Sequence, residues 1–215
     1  MTQQTGRFIT LEGSEGAGKS TNLAFIAEQL RQAGKEVITT REPGGTEIGE
    51  KIRELLLDPE NKAMHQDTEL LLMFAARAQH IQEKIKPALA QGTWVISDRF
   101  TDASFAYQGA ARAMGFERVA EIERWVQQGF QPNLTFVFDL PIDIGMQRVA
   151  SRGGQIDRFE QERKDFFESV RQAYLRRAEM APQRYQVIDA SQSLQQVQQQ
   201  ISEQLVQRLH IALNV

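Results

Sequence analysis

Phe8-Ile9-Thr10-Leu11-Glu12-Gly13-Ser14-Glu15-Gly16-Ala17-Gly18-Lys19-Ser20-Thr21 is the stretch that decides the fold. Within it, Gly13 to Ser20 fits G-x-x-x-x-G-K-[ST] without a mismatch. The apolar residues before it read as a strand, and Leu23, Ile26 and Leu30 after it recur at helical spacing. Strand, glycine loop and helix together form a phosphate cradle. The glycines let the backbone curl so that successive N–H groups face phosphate oxygens. The helix N-terminus adds partial positive charge. Lys19 is suited to the β- and γ-phosphates and the Ser20 hydroxyl to Mg²⁺. The expected ATP site is therefore Gly13, Ser14, Glu15, Gly16, Ala17, Gly18, Lys19, Ser20 and Thr21. A ligand-free glycine turn is the plainer alternative, and the matched context on both sides argues against it. The motif leaves the acceptor of any phosphoryl group open.

Working outward, short apolar runs alternate with helical patterns along the chain. Residues 7–12, 36–39, 93–97, 134–139 and 184–189 read as strands buried on both faces. Ile81, Ile85 and Leu89 lie at helical spacing in the second half of a long middle helix, and Leu194, Val197, Ile201 and Leu205 do the same in the last one. The glutamine-rich stretch 192–204 keeps that period and reads as the solvent face of a helix. This alternation predicts an α/β fold with three layers, a five-stranded parallel sheet flanked by helices. With no repeat and no linker rich in Pro, Gly or Ser, residues 1–215 are expected to form one domain.

Composition narrows the function. With 215 residues, 41% hydrophobic and 25% charged, the chain is of ordinary globular composition. A net charge of −3 argues against a partner that is a nucleic acid polymer. The longest apolar run, 70–76, is far short of the ~20 residues of a membrane span, and the polar start has no signal-peptide pattern. The absence of cysteine excludes disulfides and thiolate chemistry and fits a cytoplasmic protein.

A phosphoryl-transfer enzyme must hold two anionic molecules tail to tail, which calls for arginines near strand ends. Three clusters qualify. Arg41-Glu42-Pro43-Gly44-Gly45-Thr46 follows the second strand, with Arg53 on the next helix. Asp98-Arg99 follows the third, where Asp98 suits Mg²⁺ and Arg99 a two-pronged grip on an acceptor phosphate. Arg148, Arg152 and Arg158 bracket Gly153-Gly154 and suit a lid, about 145–160, that closes over ATP. The competing readings are solvated helix charges for Arg53 and for the lid arginines, and a structural ion pair for Asp98 and Arg99.

Other P-loop functions fit less well. The single Asn-Lys pair, in Asn61-Lys62-Ala63-Met64, lacks the aspartate of a guanine-selecting motif. A mechanical ATPase would carry a second acidic signature, and here arginine follows Asp98 at once. A P-loop ATPase or a nucleotide-sensing module without an acceptor stays open as an alternative.

In order and spacing, Leu11-Glu12-Gly13-Ser14-Glu15-Gly16-Ala17-Gly18-Lys19-Ser20-Thr21, Arg41-Glu42-Pro43-Gly44-Gly45-Thr46, Ala75-Ala76-Arg77, Asp98-Arg99-Phe100, Ala106-Tyr107-Gln108-Gly109 and Asp157-Arg158 resemble the thymidylate kinase family over essentially the whole chain. The resemblance is to the bacterial type with catalytic arginines in the lid. It implies the P-loop nucleoside monophosphate kinase fold, a homodimer, and transfer of the γ-phosphoryl of ATP to dTMP with Mg²⁺, giving dTDP and ADP. It also implies catalytic roles for Lys19, Asp98, Arg99, Arg148, Arg152 and Arg158, with Ser20 and Asp98 at the metal. For dTMP it implies contacts from Glu42 and Pro43, Arg53 and Arg99 around the phosphate, Glu15 at the sugar 3′-hydroxyl, Tyr107 under the sugar, and Arg77, Ser104 and Gln108 on the base. Phe74 is assigned to stack on the base, with Met73 as the neighbouring alternative. Ala103 departs from the family, where serine is common.

Overall fold

Runs rich in β-branched and aromatic residues build the sheet of the computed structural model, which describes residues 6–152 and 157–211. Its strands are Phe8–Glu12 (β1), Val37–Arg41 (β2), Trp94–Asp98 (β3), Leu134–Asp139 (β4) and Tyr185–Asp189 (β5). They pair in parallel in the order β2-β3-β1-β4-β5. All five expected strands are present, and β2 runs two residues beyond its expected end, to Arg41 opposite Asp98. The expectation of burial on both faces holds for β1 and for most of β3 and β4. It fails for β2 and β5, which are half-exposed because each is an edge strand with one neighbour.

Helices α1 (Lys19–Gln32) and α9 (Leu194–Leu209) cover one face of the sheet. Their Ile26, Leu30, Val197, Ile201 and Leu205 pack in one cluster with Ile9, Leu11, Phe136 and Ile188. Leu194, expected in that stripe, is instead 52% exposed, because it is the first residue of α9. A reciprocal Ser193–Gln196 capping box starts α9.

The middle helical segment lies across the other face. It runs as α3 (Gln66–His80), a π-helical turn (Ile81–Ile85) and α4 (Lys86–Ala90). Pro87 has no N–H to donate and its ring crowds the carbonyl four residues back, which accounts for the widened turn before it. Ile81 and Ile85 nevertheless bury against Phe8, Val95 and Phe100.

The remaining helices are α2 (Glu47–Leu57), α5 (Thr101–Ser104), α6 (Phe116–Gln127), α7 (Ile142–Arg152) and α8 (Lys164–Met180), with a second π-helical turn over Phe105–Ala111. That turn packs on α8 and, with α5, sets four residues, Ala103, Ser104, Tyr107 and Gln108, along one cavity. The carboxyl ends of the adjacent strands β2, β3 and β1 open on the same edge, the ligand side of an open α/β sheet.

Candidate active site at the carboxyl edge of the sheet

Each of those three strand ends delivers one part of a cavity of about 600 Å³. After β1 comes the glycine loop. Gly13, Gly16 and Gly18 take φ of 140°, 74° and 81°, backbone that other residues rarely adopt. A Cβ on Gly16 would lie 2.3 Å from the carbonyl oxygen of Gly145, so the loop and the first turn of α7 meet through glycine alone. Lys19 Nζ donates to the carbonyls of Gly13 (3.0 Å) and Ser14 (2.8 Å). Burial, and then the charge of Arg99, lower its affinity for a proton. Glu15, Gly16, Ala17, Gly18, Lys19, Ser20 and Thr21 line the cavity, whereas Gly13 and Ser14 sit behind it as partners of Lys19.

After β3, Arg99 turns into the cavity from a left-handed backbone, φ 68°. Its N–H is held by Leu11 O (2.9 Å), and its carbonyl accepts from Ser97 Oγ (2.7 Å). The guanidinium donates to Gly13 O (3.0 Å) and Tyr174 Oη (3.1 Å), pairs with Glu15, and lies 4.9 Å over the Tyr107 ring. Burial works against the Glu15 charge, but Arg99 and Lys19 override it and hold the carboxyl down at about 2.

Three residues earlier, Glu12 behaves oppositely. Fully buried, it accepts from Phe100 N at 2.7 Å. Burial, reinforced by the charge of Asp102, pushes its carboxyl up to about 8.

After β2, Glu42 anchors a buried polar chain. Its Oε2 accepts from Arg77 Nε (2.8 Å), and its Oε1 faces His80 Nδ1 (2.9 Å). His80 Nε2 faces Thr40 Oγ1 at 2.7 Å. Arg77 also donates to Ser104 Oγ and Phe100 O, each at 3.0 Å. Three of its five N–H groups are thereby fixed before any ligand arrives. Arg53 donates to Pro43 O (2.8 Å), and both residues line the cavity.

Phe74 does not line the cavity. It is 2% exposed and packs with Leu70, Phe105 and Val119, its ring 4.5 Å under Arg77. Met73 lines the cavity in its place, because one residue is about 100° of helix rotation. Nor do Arg148 and Arg158, two of the three arginines expected in a lid, come together. Arg148 lines the cavity and donates to Gly16 O and Ala190 O, both at 3.3 Å. Arg158 faces away, donating to Leu56 O (2.8 Å) and Glu69 Oε2 (2.7 Å). The Arg152 side chain and the Gly153-Gly154 pair lie outside the described residues.

Asp98 Oδ1 is buried without a hydrogen-bond partner among the described residues, and Asp98 and Ser20 both line the cavity. An unpartnered carboxylate oxygen and a hydroxyl lining one cavity are donors of the kind that suits Mg²⁺.

Several contributors had no distinct sequence signal. Tyr174 reaches Arg99 from 75 positions away, and His80 and Glu69 read as ordinary helix residues. Gly145, a glycine inside a helical run, and Glu12, an acid ending a buried strand, could have been singled out.

Comparison with known proteins agrees with this geometry. The family model for thymidylate kinase matches residues 11–201. A thymidylate kinase of Ectopseudomonas mendocina is 60% identical over 197 residues, covering 92% of this chain and 93% of that protein. One from Pseudomonas putida strain GB-1 is 59% identical with the same coverage. One from Pseudomonas syringae pv. tomato is 56% identical over 96% of this chain and 98% of its own length. A phosphate loop, arginines lining the same cavity and this span of likeness agree, and the chain belongs to the thymidylate kinase family.

Proposed function

We propose that this chain transfers the γ-phosphoryl group of ATP to dTMP, giving dTDP and ADP, within a single P-loop domain whose lid is about residues 145–160. The observation that carries the reading is one cavity lined by Lys19 and the phosphate loop on one side and by Arg53, Arg77 and Arg99 on the other. Two anions can meet there tail to tail, and positioning with charge neutralisation supplies most of the catalysis of phosphoryl transfer.

In this reading the loop residues 13–21 hold the ATP phosphates through backbone N–H groups, and Lys19 neutralises charge on the transferring group. Arg99 and Arg53 grip the dTMP phosphate beside Glu42 and Pro43. Glu15 meets the sugar 3′-hydroxyl and Tyr107 lies under the sugar. Arg77, Ser104 and Gln108 address the base edge, and Met73, rather than Phe74, lies against its face. Ser20 and Asp98 would hold Mg²⁺, which when bound neutralises phosphate charge. Arg148, with Arg152 and Arg158 on lid closure, stabilises the transferring group. No general base is required, because the attacking phosphate oxygen is already ionised near neutral pH.

The exposed Leu71 on α3 and Trp125 on α6, 56% and 78% accessible, support packing against a second copy as a homodimer. Among the described residues no helix is long and apolar enough to cross a membrane. The cytoplasm, which supplies both substrates, is the proposed compartment.

The test is ADP release from ATP·Mg²⁺ with dTMP, dUMP, dCMP, AMP and GMP as separate acceptors. Release with dTMP, and far less with the others, is the expected result. Release without any acceptor would replace this reading with an ATPase, and release with a purine nucleotide alone would reject the thymine pocket.

A further inference from the structure

Glu69 on α3 is a carboxylate with 1% exposure and no place in the phosphate chemistry. Its Oε2 is 2.7 Å from Arg158 Nη1 and 3.4 Å from Arg112 Nη2. Its Oε1 accepts from the side-chain amide of Gln108, Nε2 at 2.8 Å. Gln108 is also 1% exposed and lines the cavity beside Arg77, Ser104 and Met73.

A glutamine amide has two unlike ends, a donor NH₂ and an acceptor oxygen. A carboxylate held by two guanidinium groups accepts only, so the NH₂ end must face Glu69. That leaves Oε1 as the acceptor that Gln108, a residue lining the cavity, has to offer there. We infer that Glu69 is a positioning residue for base recognition: by locking the Gln108 amide with its oxygen toward the cavity, it selects an acceptor base that carries an N–H at its ring edge. Thymine and uracil carry that donor at N3, whereas cytosine carries a lone pair there and would face Oε1 acceptor to acceptor. The inference rests on the reading that the acceptor is a pyrimidine nucleoside monophosphate bound at Gln108.

Glu69→Gln inverts the lock with little change of shape. The new carboxamide would give its oxygen to Arg158 and its NH₂ to Gln108. Gln108 would then turn, presenting NH₂ to the cavity. Each guanidinium keeps another partner, Glu162 for Arg112 (2.6 Å) and Leu56 O for Arg158 (2.8 Å).

The experiment measures kcat/KM for dTMP and dCMP in the wild-type chain, Glu69→Gln and Glu69→Asp, with KM for ATP alongside. In Glu69→Gln the dTMP:dCMP preference should fall at least ~30-fold, since a mispaired buried donor or acceptor forfeits most of a polar site's discrimination. KM for ATP should stay within ~2-fold, because the phosphate loop is untouched. Glu69→Asp keeps an acceptor-only group, so its preference should be retained even where its rate falls. An unchanged preference in Glu69→Gln overturns the inference and leaves the proposed function standing. A wild-type chain that phosphorylates neither nucleotide removes the proposed function and the inference with it.

The wild-type chain supplies an independent check that does not depend on the variants folding. 3-Deaza-dUMP, with C–H in place of N3–H, should bind at least ~10-fold more weakly than dUMP. Equal binding would overturn the orientation assigned to Gln108.

Discussion

The side of the cavity proposed to hold the acceptor and the side proposed to act as a lid are built differently. On the acceptor side, buried charges are already paired. Arg77 is held by Glu42, Ser104 and Phe100, Glu42 by His80, and Arg99 by Glu15, Tyr174 and Gly13. On the lid side, Arg148 makes two 3.3 Å bonds to backbone carbonyls, and Arg158 is occupied with Glu69. A buried polar network is rigid when every member is satisfied, so the acceptor groups are oriented by folding itself. Cationic groups that act on the transferring phosphoryl can be delivered later, when closure excludes water. The contrast gives each side a separate signature, acceptor affinity for one and turnover for the other.

The largest effect expected is at the junction of the two sides. Arg99→Ala and Lys19→Ala should each lower kcat/KM for dTMP by on the order of 10³-fold while the fold survives. A folded Arg99→Ala chain with near-normal dTMP kinetics would remove Arg99 from the acceptor phosphate.

A smaller effect sharpens the claim that folding orients the acceptor groups. His80 has no exposure and is linked to Arg77 through Glu42. His80→Ala should raise KM for dTMP roughly 10-fold while KM for ATP stays within ~2-fold. Equal rises for both substrates in steady-state assays would mean a general loosening instead.

The smallest effect concerns stability and pH, and separates two acids three residues apart. Glu15, held down at about 2, contributes stability that is present above the ordinary carboxyl range and lost as pH falls through it toward 2. Glu12, raised to about 8, works the other way. Its contribution is full below the ordinary range and lost as pH rises from there through about 8. Glu12→Gln, neutral at all pH, should therefore flatten the fall in stability between pH 5 and 8. Urea midpoints at the two ends of that range, compared with wild type, read this directly. A wild-type midpoint that rises across the range would show Glu12 to be ionised in the fold.

What was legible in the sequence follows the same division. The phosphate loop, five parallel strands and arginines at strand ends could be read because each is local, a motif or a period within a few residues. Phe74 lies where the resemblance places a stacking aromatic, yet a one-residue offset on a helix turns a side chain from cavity to core. The Arg158 guanidinium pairs with Glu69, 89 positions earlier, a contact no local pattern encodes. Tyr174 and His80 carry no local signal for the same reason: their roles are set by what the tertiary fold packs against them.

The most direct test of the contrast is calorimetric titration of dTMP, without ATP, into the wild-type chain, Arg148→Ala and Arg99→Ala. Arg148→Ala should bind dTMP within ~2-fold of wild type, since the acceptor side is formed without the lid, while Arg99→Ala should lose at least ~10-fold. A loss of dTMP affinity in Arg148→Ala as large as that in Arg99→Ala would contradict the account, because the acceptor site would then depend on the lid.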